Sequence, residues 1–215
     1  MTGTMKFEDL REEEIGQVVD IVKETRLGFL SRMPRAFIGR YLENATGCAR
    51  WHCRVLKEEG TVLGFHVTTV GRAVPRNEPL MVTPAYLALI AAVYVMPTIV
   101  ILNYALAERR IAARHAELRD MYDAELVYIA VHPTHQNRGL GGAFMADIRA
   151  LCEAHGVALL GTEYYRDDPQ AACFYAKHPH EKLGEVNAGG RMSVSLRFDV
   201  ADLPKVSGGA PENPA

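Results

Sequence analysis

The feature that most constrains this chain is an apolar strand that runs into a polar turn and then into a glycine-rich helix start. Ala124–Val131 is an apolar, partly β-branched run of strand length. The turn that follows it carries Gln136, Gly139 and Gly141. Glycines let a ligand approach the backbone, and the first turn of a helix offers unpaired N–H groups and a positive dipole end to an anion. The segment therefore predicts a phosphate-binding turn.

The spacing of this turn separates it from two common phosphate-binding motifs. Gln136-x-x-Gly139-x-Gly141 contains neither the Gly-Lys-Ser/Thr of a Walker loop nor the Gly-x-Gly-x-x-Gly of a dinucleotide-binding turn. A helix is predicted directly after it, with Gly156 as the stop signal. The apolar residues that recur at helical spacing are Leu140, Phe144, Met145, Ile148, Leu151 and Cys152.

Another helix is predicted nearer the carboxyl-terminal end. Asp168 and Pro169 suit an N-cap and a first helical position, and Phe174-Tyr175 lies about one and a half turns further on. A buried strand is predicted before this helix over residues 157–160, and a further strand after it over residues 192–198.

These segments, in this order, resemble the GCN5-related N-acetyltransferase (GNAT) family over residues 122–198. The Gln-x-x-Gly-x-Gly turn resembles the family's acyl-CoA pyrophosphate loop. The segment from Asp168 to Tyr175 resembles its Asn-x-x-Ala-x-x-Phe-Tyr motif, with Asp168 in place of the Asn. The resemblance implies an α/β (α+β) fold in which helices flank a central mixed, mostly antiparallel sheet.

The same resemblance implies an acyl-CoA-dependent N-acyltransferase, in the first instance an acetyltransferase. An amine would attack the thioester directly in a ternary complex, with acetyl-CoA or a longer acyl-CoA as co-substrate. Glu125 would be the general base and Tyr175 would protonate the departing thiolate. Alternatively, Glu125 would be a solvated carboxylate at the strand end or would bind the acceptor. Tyr175 would alternatively be a tyrosine that packs in the core.

The resemblance also assigns binding roles. The backbone of Ile129, Ala130 and Val131 would pair with pantetheine, Asp168 would lie near it, and the N–H of Ile129 would polarise the thioester carbonyl. The pyrophosphate would be held, mostly by main-chain groups, at Gln136, Asn137, Arg138, Gly139, Leu140, Gly141 and Gly142. Tyr164 and Tyr165, expected on a loop, are candidates for lining the acceptor pocket.

The amino-terminal part predicts two amphipathic helices followed by a hairpin. Apolar residues recur at helical spacing in both helices. They are Ile15, Val18, Val19 and Val22 in the first, and Phe37, Ile38, Tyr41 and Leu42 in the second. The hairpin is predicted over residues 49–57 and 61–70, with Gly60 in its turn.

Composition excludes some functions. A chain of 215 residues with 48% hydrophobic residues suits one domain, assigned to residues 1–202 and followed by a disordered tail over 203–215. A net charge of −2 does not suggest a nucleic-acid partner.

The beginning of the chain shows no secretory signal, and the four cysteines are interpreted as reduced core residues, which favours a cytoplasmic location. No metal is predicted, because His132, His135, His178 and His180 lack metal-site spacing.

A long apolar insertion is the anomaly of the sequence. It is assigned to residues 71–123, and no charged residue occurs over residues 79–107. Its length would allow a membrane span, but Pro97 would break or kink a single helix. The interpretations are a membrane span, a helix at the inner membrane surface, and a helical hairpin that forms a lid, an acyl-chain tunnel or a homodimer surface.

Three functional hypotheses follow. The first is acetyl transfer to a small-molecule or peptide amine. The second is long-chain acyl transfer from acyl-CoA or an acyl carrier protein in lipid, lipopeptide or glycan tailoring. The third, from another class, is a non-catalytic acyl-CoA-binding or membrane-surface protein on the same scaffold. The sequence does not identify the acceptor, because its pocket would be built from segments without a specific motif.

Overall fold

Over the residues that the structure describes, the fold is a seven-stranded sheet with helices on both faces. The computed structural model describes residues 5–25, 30–71, 121–188 and 191–205. The strands are β1 (Met5–Asp9), β2 (Trp51–Glu58), β3 (Thr61–Val70), β4 (Ala124–Val131), β5 (Leu159–Tyr165), β6 (Glu181–Ala188) and β7 (Arg191–Asp199). The helices are α1 (Ile15–Glu24), α2 (Arg35–Thr46), α3 (Leu140–Ala154) and α4 (Pro169–Tyr175).

The strand order is β1-β2-β3-β4-β5-β7-β6. Strands β4 and β5 are parallel, and all other neighbours are antiparallel. The sheet is therefore mixed and mostly antiparallel, which confirms the predicted fold class.

Helices α1 and α2 cover one face of the amino-terminal strands. Their predicted apolar residues are buried in one cluster with Trp51, Val55 and Phe65 of the sheet. On the opposite face, α3 and α4 bury Met145, Ile148 and other residues against β4, β5 and β7. The two amphipathic helices predicted in the amino-terminal part, α1 and α2, are confirmed, because the apolar stripe of each is buried against the sheet.

The predicted hairpin is confirmed as β2 and β3. Glu59 (φ 50°) and Gly60 (φ 83°) form its turn with positive φ at both central residues. Such two-residue turns match the twist of a hairpin, and glycine adopts the second position without steric cost.

A buried polar network fixes α3 on the sheet. The Asp147 carboxylate accepts a hydrogen bond from Arg54 Nη2 (3.0 Å) and lies 3.0 Å from His66 Nε2. The other ring nitrogen of His66 lies 2.9 Å from Thr68 Oγ1. Burial lowers the pKa of His66, against the raising effect of Asp147. Because these side chains connect α3 to β2 and β3, the helix start has a fixed place beside the end of β4.

Several boundaries differ from the sequence expectations. The sequence pattern does not predict strands β1 and β6. They lie at the edges of the sheet, where the alternation of apolar and polar residues is weaker than in a central strand. The packed part of the domain passes the predicted boundary at residue 202, because Leu203 is buried and its carbonyl accepts from Arg149 Nη1 (2.5 Å). Residues 206–215, the rest of the predicted tail, lie outside the described residues.

The four cysteines are not all core residues. Cys53 and Cys152 are buried, and burial raises the pKa of each thiol to about 12. Cys48 is half-buried, whereas Cys173 is exposed on α4. The core interpretation is therefore wrong for Cys173, since its position on a short helix faces away from the sheet.

Most of the apolar insertion, residues 72–120, lies outside the described residues, and so do the helical hairpin and the membrane contacts predicted for it. In the part of the chain that is described, no helix is both long enough and apolar enough to span a bilayer.

Candidate active site at the split between two strands

The central feature of the site is a split between β4 and β5. The two strands pair at Ala124–Leu160, Glu125–Gly161 and Leu126–Thr162, and their recorded pairing stops there. Strand β4 continues to Val131, and residues 128–131 pair with β3. Among the described strands, the pairing of β4 on the side of β5 ends at Leu126.

A β-bulge accompanies the split. The β3 register passes from Val67–Tyr128 to Thr68–Leu126, so Val127 is the additional residue on β4. A bulge bends its strand and strengthens the local twist. The bulge lies one residue after the last pair with β5, which gives a physical reason for the separation of the strands at this point.

The phosphate-binding turn predicted from the sequence lies at the open end of β4. Asn137 (φ 62°) and Gly139 (φ 76°) both adopt left-handed backbone conformations, and Gly139 is the N-cap of α3. Within the described part of the chain, no side-chain hydrogen bond caps this helix start. The first N–H groups of an α-helix have no carbonyl one turn back, so they and the helix dipole favour an anion here.

The polar side chains of the turn have different partners. Gln136 Nε2 donates to the Val131 carbonyl (3.0 Å), which ties the turn to the end of the strand. Arg138 is exposed, with its guanidinium 2.9 Å from His135 Nδ1 and 3.9 Å from a Glu58 carboxylate oxygen. Gln136 therefore shapes the turn, while Arg138 supplies a cation beside it.

The glycines of the turn also have different functions. A Cβ at Gly141 would lie 2.7 Å from the Phe174 ring, so this glycine permits close packing of α3 against α4. Gly142 faces open space. In this structure Gly139 provides the left-handed backbone conformation and Gly141 permits the packing, while their approach to a ligand stays a prediction.

Tyr175 lies at the vertex of the split. Its side chain is buried, and its hydroxyl is 3.3 Å from Thr162 Oγ1. Thr162 Oγ1 in turn donates to the Leu126 carbonyl (2.9 Å). These two partners belong to the last recorded pair between β4 and β5, so the phenol stands where the strands separate.

Glu125 lies at the same level on the other face of the sheet. Its neighbours Ala124 and Leu126 pack in the α3 cluster, so alternation along β4 directs Glu125 to the α1/α2 face. The residue is buried, with 5% relative exposure, and it pairs in register with Gly161. The structure thus brings Glu125 and Tyr175 to one place in the sheet, on opposite faces.

Tyr164 and Tyr165 are not brought together. Both were expected on a loop, but they are the last two residues of β5, because this strand runs five residues beyond the predicted segment. The ring of Tyr164 lies 5.6 Å from that of Tyr175, whereas Arg191 lies over the Tyr165 ring at 3.9 Å. Since strand residues alternate, they occupy opposite faces, and only Tyr165 shares the face of Glu125.

Asp168 caps α4. Its Oδ1 accepts a hydrogen bond from the N–H of Ala171 at 3.0 Å, as the sequence predicted for an N-cap. This carboxylate therefore fixes the helix that carries Tyr175. No group of three or more His, Cys, Asp or Glu side chains suited to a metal occurs within residues 5–25, 30–71, 121–188 and 191–205.

Sequence reasoning missed the bulge at Val127 and the role of Thr162. A polar residue at an inward position between Leu160 and Tyr164 was the available signal for Thr162. Its two partners, however, belong to β4 and α4, which only the tertiary structure brings beside it.

Comparisons with known proteins agree with this geometry. Residues 100–178 match the family model described as the acetyltransferase (GNAT) domain. No curated protein sequence matches the chain.

Solved structures share the fold over nearly the whole chain. A protein from Desulfovibrio desulfuricans assigned to the GNAT acetyltransferases is 15% identical, with a TM-score of 0.61 over 92% of this chain and 99% of that one. The ribosomal-protein-S18-alanine N-acetyltransferase of Escherichia coli is 15% identical, with a TM-score of 0.55 over 97% and 100%. The Salmonella typhimurium protein yncA, solved with acetyl-CoA, is 12% identical, with a TM-score of 0.56 over 97% and 98%. Residues 100–178 thus resemble the GNAT acetyltransferase domain, and the chain shares its fold with these solved structures.

Proposed function

We propose that this chain transfers the acetyl group of acetyl-CoA to the amine of a small molecule or a peptide. The observation that carries the proposal is the split between β4 and β5, with Glu125 and Tyr175 on opposite faces at its vertex. The amine adds to one face of the planar thioester carbonyl, and the thiolate then leaves from another position on the tetrahedral carbon. A proton acceptor near the amine and a proton donor near the sulfur are therefore needed at different places, and Glu125 and Tyr175 supply two such places.

The cofactor is proposed to enter along the open edge of β4. Backbone groups of Ile129 and Val131, with Ala130 between them, lie beyond the last recorded pair with β5 and can bond to the pantetheine amides as a neighbouring strand would. The pyrophosphate then lies at the start of α3, where helix N–H groups and Arg138 favour an anion. The acetyl-CoA in the Salmonella typhimurium structure supports this choice of donor.

The proposed chemistry needs two proton transfers. Glu125 accepts a proton from the attacking amine on the α1/α2 face, directly or through water. The N–H of Ile129 donates to the carbonyl oxygen as negative charge develops there. When the carbon–sulfur bond breaks, Tyr175 donates its proton to the thiolate on the other face. The products are an amide and free coenzyme A.

The acceptor is proposed to approach from the face of Glu125 and Tyr165. The Escherichia coli structure is named for an acetyltransferase of a protein's alanine, so a peptide amine is one natural acceptor class. Longer acyl chains, an acyl carrier protein donor and contact with a membrane surface are the alternatives, and donor choice separates them.

The test combines donor binding with acetyl transfer. Calorimetry of the full chain against acetyl-, octanoyl- and palmitoyl-CoA measures donor choice, and thiol release with a panel of amines measures transfer. We expect acetyl-CoA to bind and to release thiol only when an amine is present. Tyr175→Phe should lose most of this activity, whereas Tyr41→Phe, a change at a buried tyrosine of α2, should keep it. Binding of long chains alone, or equal thiol release by wild type and Tyr175→Phe, would contradict the proposal.

A further inference from the structure

Thr162 has a single hydroxyl proton, and the structure accounts for it. A carbonyl oxygen only accepts, so the 2.9 Å contact between Thr162 Oγ1 and the Leu126 carbonyl uses the threonine proton. In the 3.3 Å contact between Thr162 and Tyr175, the tyrosine hydroxyl must therefore be the donor. Before reaction, the proton of Tyr175 points towards Thr162.

The tyrosine ring is held by its neighbours. Ring centroids lie 5.0 Å away for Phe174, 5.6 Å for Tyr164 and 6.0 Å for Phe198. Such packing restricts the ring but leaves rotation of the O–H bond free. Thr162, which is 2% exposed, is a hydrogen-bond partner that restricts this rotation.

We propose that Thr162 is a positioning residue for acetyl transfer, one that orients the phenol of Tyr175 at the vertex of the split. This inference rests on the proposed function. A threonine hydroxyl both accepts and donates, so it suits the two states of the tyrosine. It accepts from the phenol before transfer.

The proton balance of the second state gives the hydroxyl a further function. Tyr175 loses its O–H bond, the coenzyme sulfur gains an S–H bond, and a phenolate remains until solvent returns a proton. When the Thr162 hydroxyl rotates, it keeps its proton but donates its hydrogen bond to this phenolate instead of to the Leu126 carbonyl. Valine has the shape of threonine but can neither accept nor donate.

A threonine at this position would also cap the Leu126 carbonyl if it had no function in catalysis. That purely structural role predicts lower stability and equal effects with or without Tyr175. The positioning role predicts that the effect of Thr162 on turnover passes through the tyrosine hydroxyl. A double-mutant cycle separates the two.

The experiment measures kcat and KM for acetyl-CoA in wild type, Thr162→Val, Thr162→Ser, Tyr175→Phe and the Thr162→Val/Tyr175→Phe double variant. We expect Thr162→Val to lower kcat by about tenfold or more while KM for acetyl-CoA stays unchanged, since general acid catalysis contributes at least that much. Thr162→Ser should retain turnover within about threefold of wild type, because it keeps the hydroxyl. In the Tyr175→Phe background, Thr162→Val should have no further effect.

The matched control is Thr68→Val. Thr68 is a buried threonine of the same sheet whose backbone pairs with Leu126 in the β3–β4 ladder, but its hydroxyl contacts His66 and not Tyr175. It should lower the melting temperature without lowering kcat. If Thr162→Val fails to fold, Thr162→Ala replaces it in the same cycle.

The outcomes separate this inference from the proposed function. If wild type transfers acetyl to none of the amines, the proposed function fails. If wild type is active, but Thr162→Val has the same effect with and without the Tyr175 hydroxyl, the positioning role is wrong. Loss of activity in Thr162→Ser equal to that in Thr162→Val would also overturn it.

Discussion

Strand β4 contacts its two neighbours in very different ways. With β3 it pairs from Val70–Ala124 to Gly64–Val131, with one bulge at Val127. With β5 it pairs at three positions and then separates. The closed side builds the core, and the open side builds the candidate site. The comparison teaches that a site can be made where a strand leaves one neighbour while its ladder with the other neighbour extends further.

The most severe change should be on the open side. Glu125→Gln removes the proposed proton acceptor, so we expect kcat to fall by about 10²–10⁴-fold, with little change in KM for acetyl-CoA. Steady-state kinetics with a fixed amine measures this. Glu185→Gln is the control, because Glu185 pairs with Arg166 and Lys182 on β6, away from the split. Equal activity of the two variants would remove Glu125 from the mechanism.

A change on the closed side should act on stability. A Cβ at Gly64 would lie 2.6 Å from the Ala130 carbonyl oxygen and 3.0 Å from the Phe144 ring. Gly64→Ala should therefore reduce the free energy of unfolding by about 1–3 kcal/mol, since overpacking displaces the ladder. Thermal melts measure the loss. Gly184→Ala, with no atom within 4 Å of its added Cβ, should leave the melting temperature nearly unchanged. An unchanged melting temperature in Gly64→Ala would mean that the β3–β4 ladder tolerates the added Cβ.

The helix start beside the split should respond more moderately. Arg138→Ala removes the cation of the turn, so we expect the affinity for acetyl-CoA to fall by about tenfold, as for other hydrogen bonds to charged groups. The loss should be smaller at high salt, because the side chain is exposed. Calorimetry at two salt concentrations tests this, with the exposed Arg166→Ala as control. Unchanged affinity would place the pyrophosphate elsewhere.

The smallest effect should be on the pH dependence of stability. It comes from His66 of β3, which is buried against Asp147 of α3. His66 faces Asp147, Arg54, Thr68 and Phe144, and burial lowers its pKa below the ordinary value of 6.5. The unfolded chain therefore binds a proton near pH 6.5 that the folded protein takes up only at lower pH. Stability should fall as the pH drops from 7 through 6.5 towards the folded pKa.

Denaturation of wild type and His66→Gln at pH 7.5 and 5.5 measures this contribution. The variant should be less stable at pH 7.5 but should lose less stability on acidification. Part of the dependence should remain, because the pKa values of His52 and His178 are also lowered by burial. An identical pH dependence in both proteins would show that His66 does not contribute.

Much of the fold could be predicted because its signals are local. The helix stripes at Ile15 to Val22 and Phe37 to Leu42, the Gly60 turn and the strand Ala124–Val131 all follow from the spacing of side chains. The edge strands β1 and β6 could not be predicted in this way. An edge strand buries less of its surface, so selection for an alternating pattern is weaker.

The candidate site also has one part that local sequence signals predict and another part that they do not. By itself the sequence determined the strand, turn and helix start around Gly139 and the capped helix that carries Tyr175, because glycine conformation and N-cap chemistry act within a few residues. Only the tertiary structure decided that β4 and β5 separate after Leu126, that Glu125 and Tyr175 take opposite faces there, and that Tyr164 and Tyr165 are divided between those faces. These outcomes depend on strand register and on a bulge, which are set by contacts between residues far apart in the chain.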